Sequence, residues 1–287
     1  MKSQMSETPS PKSEEKPFKQ VMVHSLIVIP FIIAVSCAIL FIAIRLLTHE
    51  KQTAYDLLED VRMGGATKRW QSAFELSKML ASPKRIPEDE GFTQEVISAF
   101  RKSKEDDRRV RQYLALAMGR TGKATFFEPL TEDLANEKEA NLPAVIYAVG
   151  MLKDPRGAAV LNPFLNHPDA HIRSIAVVAI GNIASPSSVD RLKKALVDAE
   201  PNVQWGAALS LAKMGDRTGR PILLKMLDRE YLSAFPRVDP DEQNYLVLSA
   251  IEAASLLNEP ELNAKLDELS KTDRNMKVRA FALEKLK

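Results

Sequence analysis

Residues 169–181 read Asp169-Ala170-His171-Ile172-Arg173-Ser174-Ile175-Ala176-Val177-Val178-Ala179-Ile180-Gly181. The run is rich in small and aliphatic side chains and contains no proline. It predicts a helix that neighbouring helices can approach closely. The turn ahead of it, Asn166-His167-Pro168-Asp169, stops one helix and starts the next, and Ala199-Glu200-Pro201-Asn202 does the same further on. Between such turns lies a second kind of helix with apolar residues about one turn apart, as in Val189-Leu192-Leu196 and Ile222-Leu223-Leu227.

The two kinds alternate with one period. Leu130, Leu161, Leu192 and Leu223 stand 31 residues apart, and so do Leu134, Leu165, Leu196 and Leu227. Gly119, Gly150, Gly181 and Ala212 keep the same step, as do Ala117, Ala148, Ala179 and Ser210. Four separate columns with one period define a repeat of two helices. Counting outward gives seven pairs, at about 50–80, 92–120, 124–152, 156–183, 186–214, 218–257 and 259–286. One pair cannot bury its own apolar face, whereas stacked pairs cover one another. The fold class expected is all-α, an α-solenoid over residues 50–287.

The unit Asp154-Pro155-Arg156-Gly157-Ala158-Ala159-Val160-Leu161, Asp169-Ala170-His171-Ile172-Arg173, Ala179-Ile180-Gly181 resembles the HEAT-repeat family, in particular the short repeats of phycobilisome-lyase-like proteins. Val110-Arg111 and Val278-Arg279 repeat its aliphatic-Arg pair, and Val203-Gln204 departs from it. The resemblance covers residues 92–287 and implies a fold more than a chemistry.

Two segments lengthen the period. Residues 81–91 extend the connection between pairs one and two, and residues 231–243 extend the turn inside pair six. Turns within pairs line one edge of a solenoid and connections between pairs line the other, so the two insertions are expected on opposite edges. Tyr231, Phe235 and Arg237 in the second insertion are residue types common at interface hot spots. The plainer reading is a tolerated surface loop.

The amino-terminal region is of another kind. Residues 21–44 contain no Asp, Glu, Lys or Arg, and 24 residues of helix reach about 36 Å, enough to span a hydrocarbon core of about 30 Å with some tilt. A transmembrane helix is expected over 21–47, after a tail at 1–20 whose Pro9, Pro11 and Pro17 and polar composition predict disorder. The run is longer than a signal-peptide core and no small-residue cleavage site follows it. Ala34-Val35-Ser36-Cys37 looks like a degenerate lipobox, but the apolar run continues beyond Cys37, so an uncleaved anchor is the expectation. Lys12, Lys16 and Lys19 nearly balance Arg45, Lys51 and Arg62 across it. The orientation expected is a cytoplasmic tail with the repeats outside, periplasmic in a bacterium.

Composition narrows the function. The formal net charge is +2, carried by residues 1–45, which leaves residues 46–287 neutral and argues against a general nucleic-acid binder. The one cysteine, Cys37, lies in the apolar run, so the repeats hold no disulfide and no cysteine nucleophile. His167 and His171 have metal-like spacing, yet Pro168 places His167 in the turn, and no metal is expected. The fold's iron-dependent deoxyhypusine hydroxylases use repeated His-Glu pairs, and the one such pair here is His49-Glu50. Its alkylpurine glycosylases need a basic groove.

Arg111, Arg173, Gln204 and Arg279 occupy one position of the second helix, with Asp107 and Asp169 four residues ahead of the first two. Each Asp is expected to cap its helix and pair with an Arg, linking neighbouring repeats. The functional alternative is a basic track for an acidic partner through Arg111, Arg173 and Arg279. The function expected is a non-catalytic, membrane-anchored scaffold that binds a protein partner, with no cofactor. A lyase-like or cofactor-handling protein of the same fold is the first alternative, and an assembly subunit of a membrane complex the second.

Overall fold

A computed structural model describes residues 26, 28–47 and 52–287. The expectations for the tail and for His49-Glu50 fall outside those residues. The chain divides into two units, Met1–Gln52 and Thr53–Lys287. In the first, helix α1 spans Ile29–Leu47, 19 residues, with the apolar side chains of Phe31, Leu40 and Phe41 exposed. Among the described residues no helix is long and apolar enough to cross a membrane.

The second unit is helical throughout, with no strand among the described residues. Its helices fall into seven successive pairs: α2 Ala54–Met63 with α3 Ala66–Met79, α4 Glu90–Lys102 with α5 Arg108–Arg120, α6 Phe127–Thr131 with α7 Leu142–Leu152, α8 Gly157–Leu161 with α9 Ala170–Ile183, α10 Val189–Ala195 with α11 Pro201–Lys213, α12 Arg220–Met226 and α13 Arg229–Ser233 with α14 Pro240–Leu257, and α15 Pro260–Thr272 with α16 Met276–Lys285. The first helices of pairs three to six are only one or two turns long, and 3₁₀ turns such as Asn162–Asn166 extend them. Residues 231–243, read from sequence as a lengthened turn, are partly helical, because Asp228 caps α13 through the Glu230 amide and Asp239 caps α14 through those of Asp241 and Glu242.

Close packing of second helices on one another builds the stack. A Cβ added to Gly150 would stand 2.6 Å from the Cα of Ala179, and one on Gly119 would stand 2.7 Å from the Cα of Ala148. Gly119 and Gly150 are therefore points of backbone contact, and no side chain larger than a hydrogen fits at either. The column brings α5, α7, α9 and α11 together, and their buried faces form one apolar core with the first helices. A second core, built on α11, α12, α14, α15 and α16, continues it from Trp205 onward.

The two insertions lie on opposite edges, as expected. The Lys123 ammonium donates to the Pro87 carbonyl at 2.9 Å, placing 81–91 beside the connection after α5. Arg229 pairs with Asp273 in the turn of pair seven, placing the second insertion on the turn edge.

Candidate functional site

The arginine ladder runs along the turn edge, and its partners differ from the expected ones. Arg111 donates through Nε to Glu137 at 2.7 Å and through Nη1 to the Phe100 carbonyl at 2.9 Å, with its guanidinium over the Phe100 ring. Arg173 forms a two-armed pair with Asp198, both contacts at 2.9 Å, and Arg229 does the same with Asp273 at 2.9 and 3.0 Å. Arg69 pairs with Asp106. In each case the arginine reaches the acid in the turn of a following pair, so the bridges sew repeat to repeat.

Asp107 and Asp169 do not take part in this. Asp107 accepts from the amide and guanidinium of Arg109, and Asp169 from the His171 amide, because a cap side chain points back over its own first turn while residue four points away. The expected caps are present and the repeats are linked, but the acids that the arginines meet are Glu137 and Asp198 of the following pairs rather than Asp107 and Asp169.

Most of the ladder is engaged within the stack. Arg111 is buried, Arg173 is mostly covered, and Arg279 donates to the Asp273 carbonyl at 2.6 Å. Burial works against the Glu137 charge, but the hydrogen bonds from Arg111 and Asn141 outweigh it and hold the carboxyl below its ordinary pKa. The Arg173 guanidinium does the same for Asp198. Of the sequence candidates on this edge only Arg237 is exposed.

Tyr231 and Phe235 point inward. Both pack edge-on against Trp205, at centroid distances of 6.4 and 5.2 Å, and against each other at 5.1 Å. The Trp205 indole N–H donates to the Tyr231 hydroxyl at 3.3 Å. Trp205 itself is buried, and the positions one and two periods before it hold Ser174 and Pro143. A large ring therefore enters the stack where earlier pairs carry small residues, and the insertion supplies the two rings that surround it.

This wedge of three rings also borders a groove, because Trp205 lines it. A groove of about 820 Å³ opens between α11 and α14, bounded also by α9 and α16. Its surface is largely apolar, with Val178, Leu209, Leu246, Leu256 and Phe281 among the lining residues. Tyr245 and Leu256 are 70% and 52% exposed, so the groove is open to solvent along one side. Polar groups stand at its ends: Glu242 in the first turn of α14, and Lys213 at the end of α11, whose ammonium lies 3.4 Å from Asn182 Oδ1.

The groove continues an apolar row that the sequence reading missed. Leu116, Tyr147, Val178 and Leu209 are again 31 residues apart, each one residue before a member of the buried Ala–Ser column, and all four are solvent-accessible to some degree. Phe74 and Tyr113 extend the row, meeting edge-to-face at 5.1 Å. The signal is the same period, shifted by one residue from the buried Ala–Ser column.

His167 and His171 do not form a metal pair. His167 Nδ1 accepts the Asp169 amide at 3.1 Å and so serves the turn. Among the described residues no group of three or more His, Cys, Asp or Glu could hold a metal ion.

Residues 159–234 match the family model described as HEAT repeats. The matched stretch runs from within α8 to just past α13. The complex of CpcE and CpcF of phycocyanin lyase from Nostoc sp. PCC7120 shares the HEAT-type fold with a TM-score of 0.60 at 16% identity, over 83% of this chain and 88% of that chain. Human deoxyhypusine hydroxylase aligns with a TM-score of 0.38 at 15% identity, over 81% of this chain and 95% of that one. A designed armadillo repeat protein aligns with a TM-score of 0.37 at 16% identity, over 82% and 98% of the two chains. No curated protein sequence matches the chain.

Proposed function

We propose that this chain is a membrane-anchored HEAT-repeat scaffold that binds a protein partner on the face formed by its second helices. The observation that carries the reading is the accessible apolar row Leu116–Tyr147–Val178–Leu209 and the groove that continues it. Accessible apolar surface that is contiguous and edged by polar groups fits a partner better than it fits water. Interaction between proteins also agrees with the fold's appearance in a complex of CpcE and CpcF.

The anchor is supported by the uncharged run over 21–44 and by the exposed apolar side chains of α1. We place the tail in the cytoplasm and the repeats on the far side of the membrane. A topology reporter fused after Lys287 tests that placement, and activity only on the cytoplasmic side would reverse it.

Crosslinking in native membranes tests the scaffold. A partner recovered with the wild-type chain and lost with Tyr147→Asp supports the reading. An identical recovery from both proteins, or none from either, removes it. The second reading, a cofactor-handling protein, draws on the size of the groove, which falls in the range of small-ligand sites, about 300–1,000 Å³. A bound chromophore or other small molecule in the purified chain would favour it.

A further inference from the structure

We infer that the groove between α11 and α14 is a receptor for one amphipathic α-helix of the partner protein, about three turns long. The inference rests on the scaffold reading and specifies where and what it binds.

Length comes first. Asn202 and Lys213 both line the groove on α11, eleven residues apart, which is about 16 Å of helix, or three turns. Backbone chemistry decides the conformation of the occupant. The floor is Val178, Leu209, Leu246 and Phe281, with few polar atoms to receive peptide N–H and C=O groups. An extended segment laid there would lose water from its backbone without replacement, costing about 1–3 kcal/mol for each unmet group. A helix satisfies its own backbone and presents only side chains, and its apolar residues at i, i+3, i+4 and i+7 match a straight apolar channel between two helices.

Charge sets the direction. The Glu242 carboxylate has no side-chain partner among the described residues, and it stands at the end of the groove where α11 and α14 begin. Lys213 stands at the end where α11 finishes, with a single long contact to Asn182, while Glu252, the other carboxylate in the lining, is already paired with Lys285. The partner helix that fits carries a basic residue towards Glu242 and an acidic residue towards Lys213. Such charges select among amphipathic helices more than they add affinity.

Trp205 lines the groove and reports on it. The test uses the full chain in nanodiscs, with Trp70→Phe to leave Trp205 as the reporting indole. Four labelled fourteen-residue peptides are titrated: an amphipathic helix with Arg at one end and Glu at the other, its charge-reversed form, its central-proline form and a scramble. The expected result is saturable binding of the first peptide with a change in Trp205 emission. The proline form and the scramble should bind at least tenfold more weakly.

Glu242→Lys together with Lys213→Glu should exchange the preference between the first two peptides. Tyr245→Glu with Leu256→Glu, both at exposed positions, should abolish binding without moving the melting temperature. Equal binding of the proline form, no exchange of preference, or binding unaffected by Tyr245→Glu and Leu256→Glu overturns the inference. So does self-association of the chain that these two substitutions abolish, since the occupant would then be a second copy. If the peptides fail while Tyr147→Asp still removes a native partner, the helix-in-groove inference falls and the scaffold stands.

Discussion

Gly150 lies against Ala179 with no room between their backbones: a Cβ on the glycine would meet the Ala179 Cα and Cβ, each at 2.6 Å. Neither neighbour is a flexible side chain that could swing away, so the two helices would have to separate. Gly150→Ala is expected to cost about 1–3 kcal/mol, the usual penalty for overpacking. Calorimetry of the full chain checks it, and an unchanged melting temperature would mean that the column is not a backbone contact.

The pair Arg111–Glu137 is the most buried bridge of the ladder, with 6% and 2% of the side chains exposed. Removing one partner leaves the other charge in the core, so Arg111→Met or Glu137→Leu alone is expected to destabilise by about 3–5 kcal/mol. The double variant should recover most of that loss, because two apolar groups need no partner. Denaturant midpoints of the three proteins decide between this account and simple loss of packing, which would make the two costs add.

Helices Ala170–Ile183 and Leu142–Leu152 end without glycine at a left-handed cap: Ala184 has φ of 54° and Lys153 has φ of 55°. A side chain there costs about 1 kcal/mol or more, and Ala184 is exposed, so its methyl contributes little packing. Ala184→Gly is therefore expected to raise stability by several tenths of a kcal/mol to about 1 kcal/mol. A melting temperature that falls instead would show that the conformation is not the strained one described.

Much of this fold was legible in the sequence because its determinants are local and periodic. The 31-residue columns located the helix pairs, and the proline- and aspartate-bearing turns placed their ends to within a few residues. The ladder partners were not legible, since Arg111 and Glu137 or Arg173 and Asp198 meet only after one pair has stacked on another. The same holds for Tyr231 and Phe235. Their type suggested an exposed hot spot, but Trp205, 26 and 30 residues earlier, offers a buried partner that no local pattern announces. The groove was illegible for a related reason, since residues of α9, α11, α14 and α16 line it together only after the pairs have stacked.

Acid should weaken the stack at an identifiable place. Burial raises the pKa of Asp216, but the bonds from the Lys193 ammonium and from Thr218 outweigh it and hold the carboxyl at about 2, below its ordinary 3.8. Asp107, held by the Arg109 side chain and amide, also sits at about 2. A depressed folded pKa means the stabilisation is complete above pH about 4 and is lost as pH falls through 2. Denaturant midpoints between pH 5 and 2 should fall for the wild type, and Asp216→Asn should flatten that fall. A variant with the wild-type slope would show that Asp216 does not contribute to it.

Trp205 and Phe235 provide the sharpest link between insertion and groove. Their rings meet at 89° with centroids 5.2 Å apart, and Phe235 is half-buried, so Phe235→Ala removes an edge-to-face contact and part of an apolar burial. The cost expected is about 2 kcal/mol, below the 3–5 kcal/mol of a fully buried Phe→Ala change. The consequence beyond stability is geometric: with the wedge reduced, α14 can settle towards α11 and the groove narrows. Trp205 emission should shift to longer wavelength as its cover is lost, and the amphipathic peptide should bind more weakly although Phe235 does not line the groove. Phe235→Leu, which keeps apolar bulk, should restore binding more than it restores the ring contact. Full peptide affinity in Phe235→Ala would show that the groove stands open without its wedge.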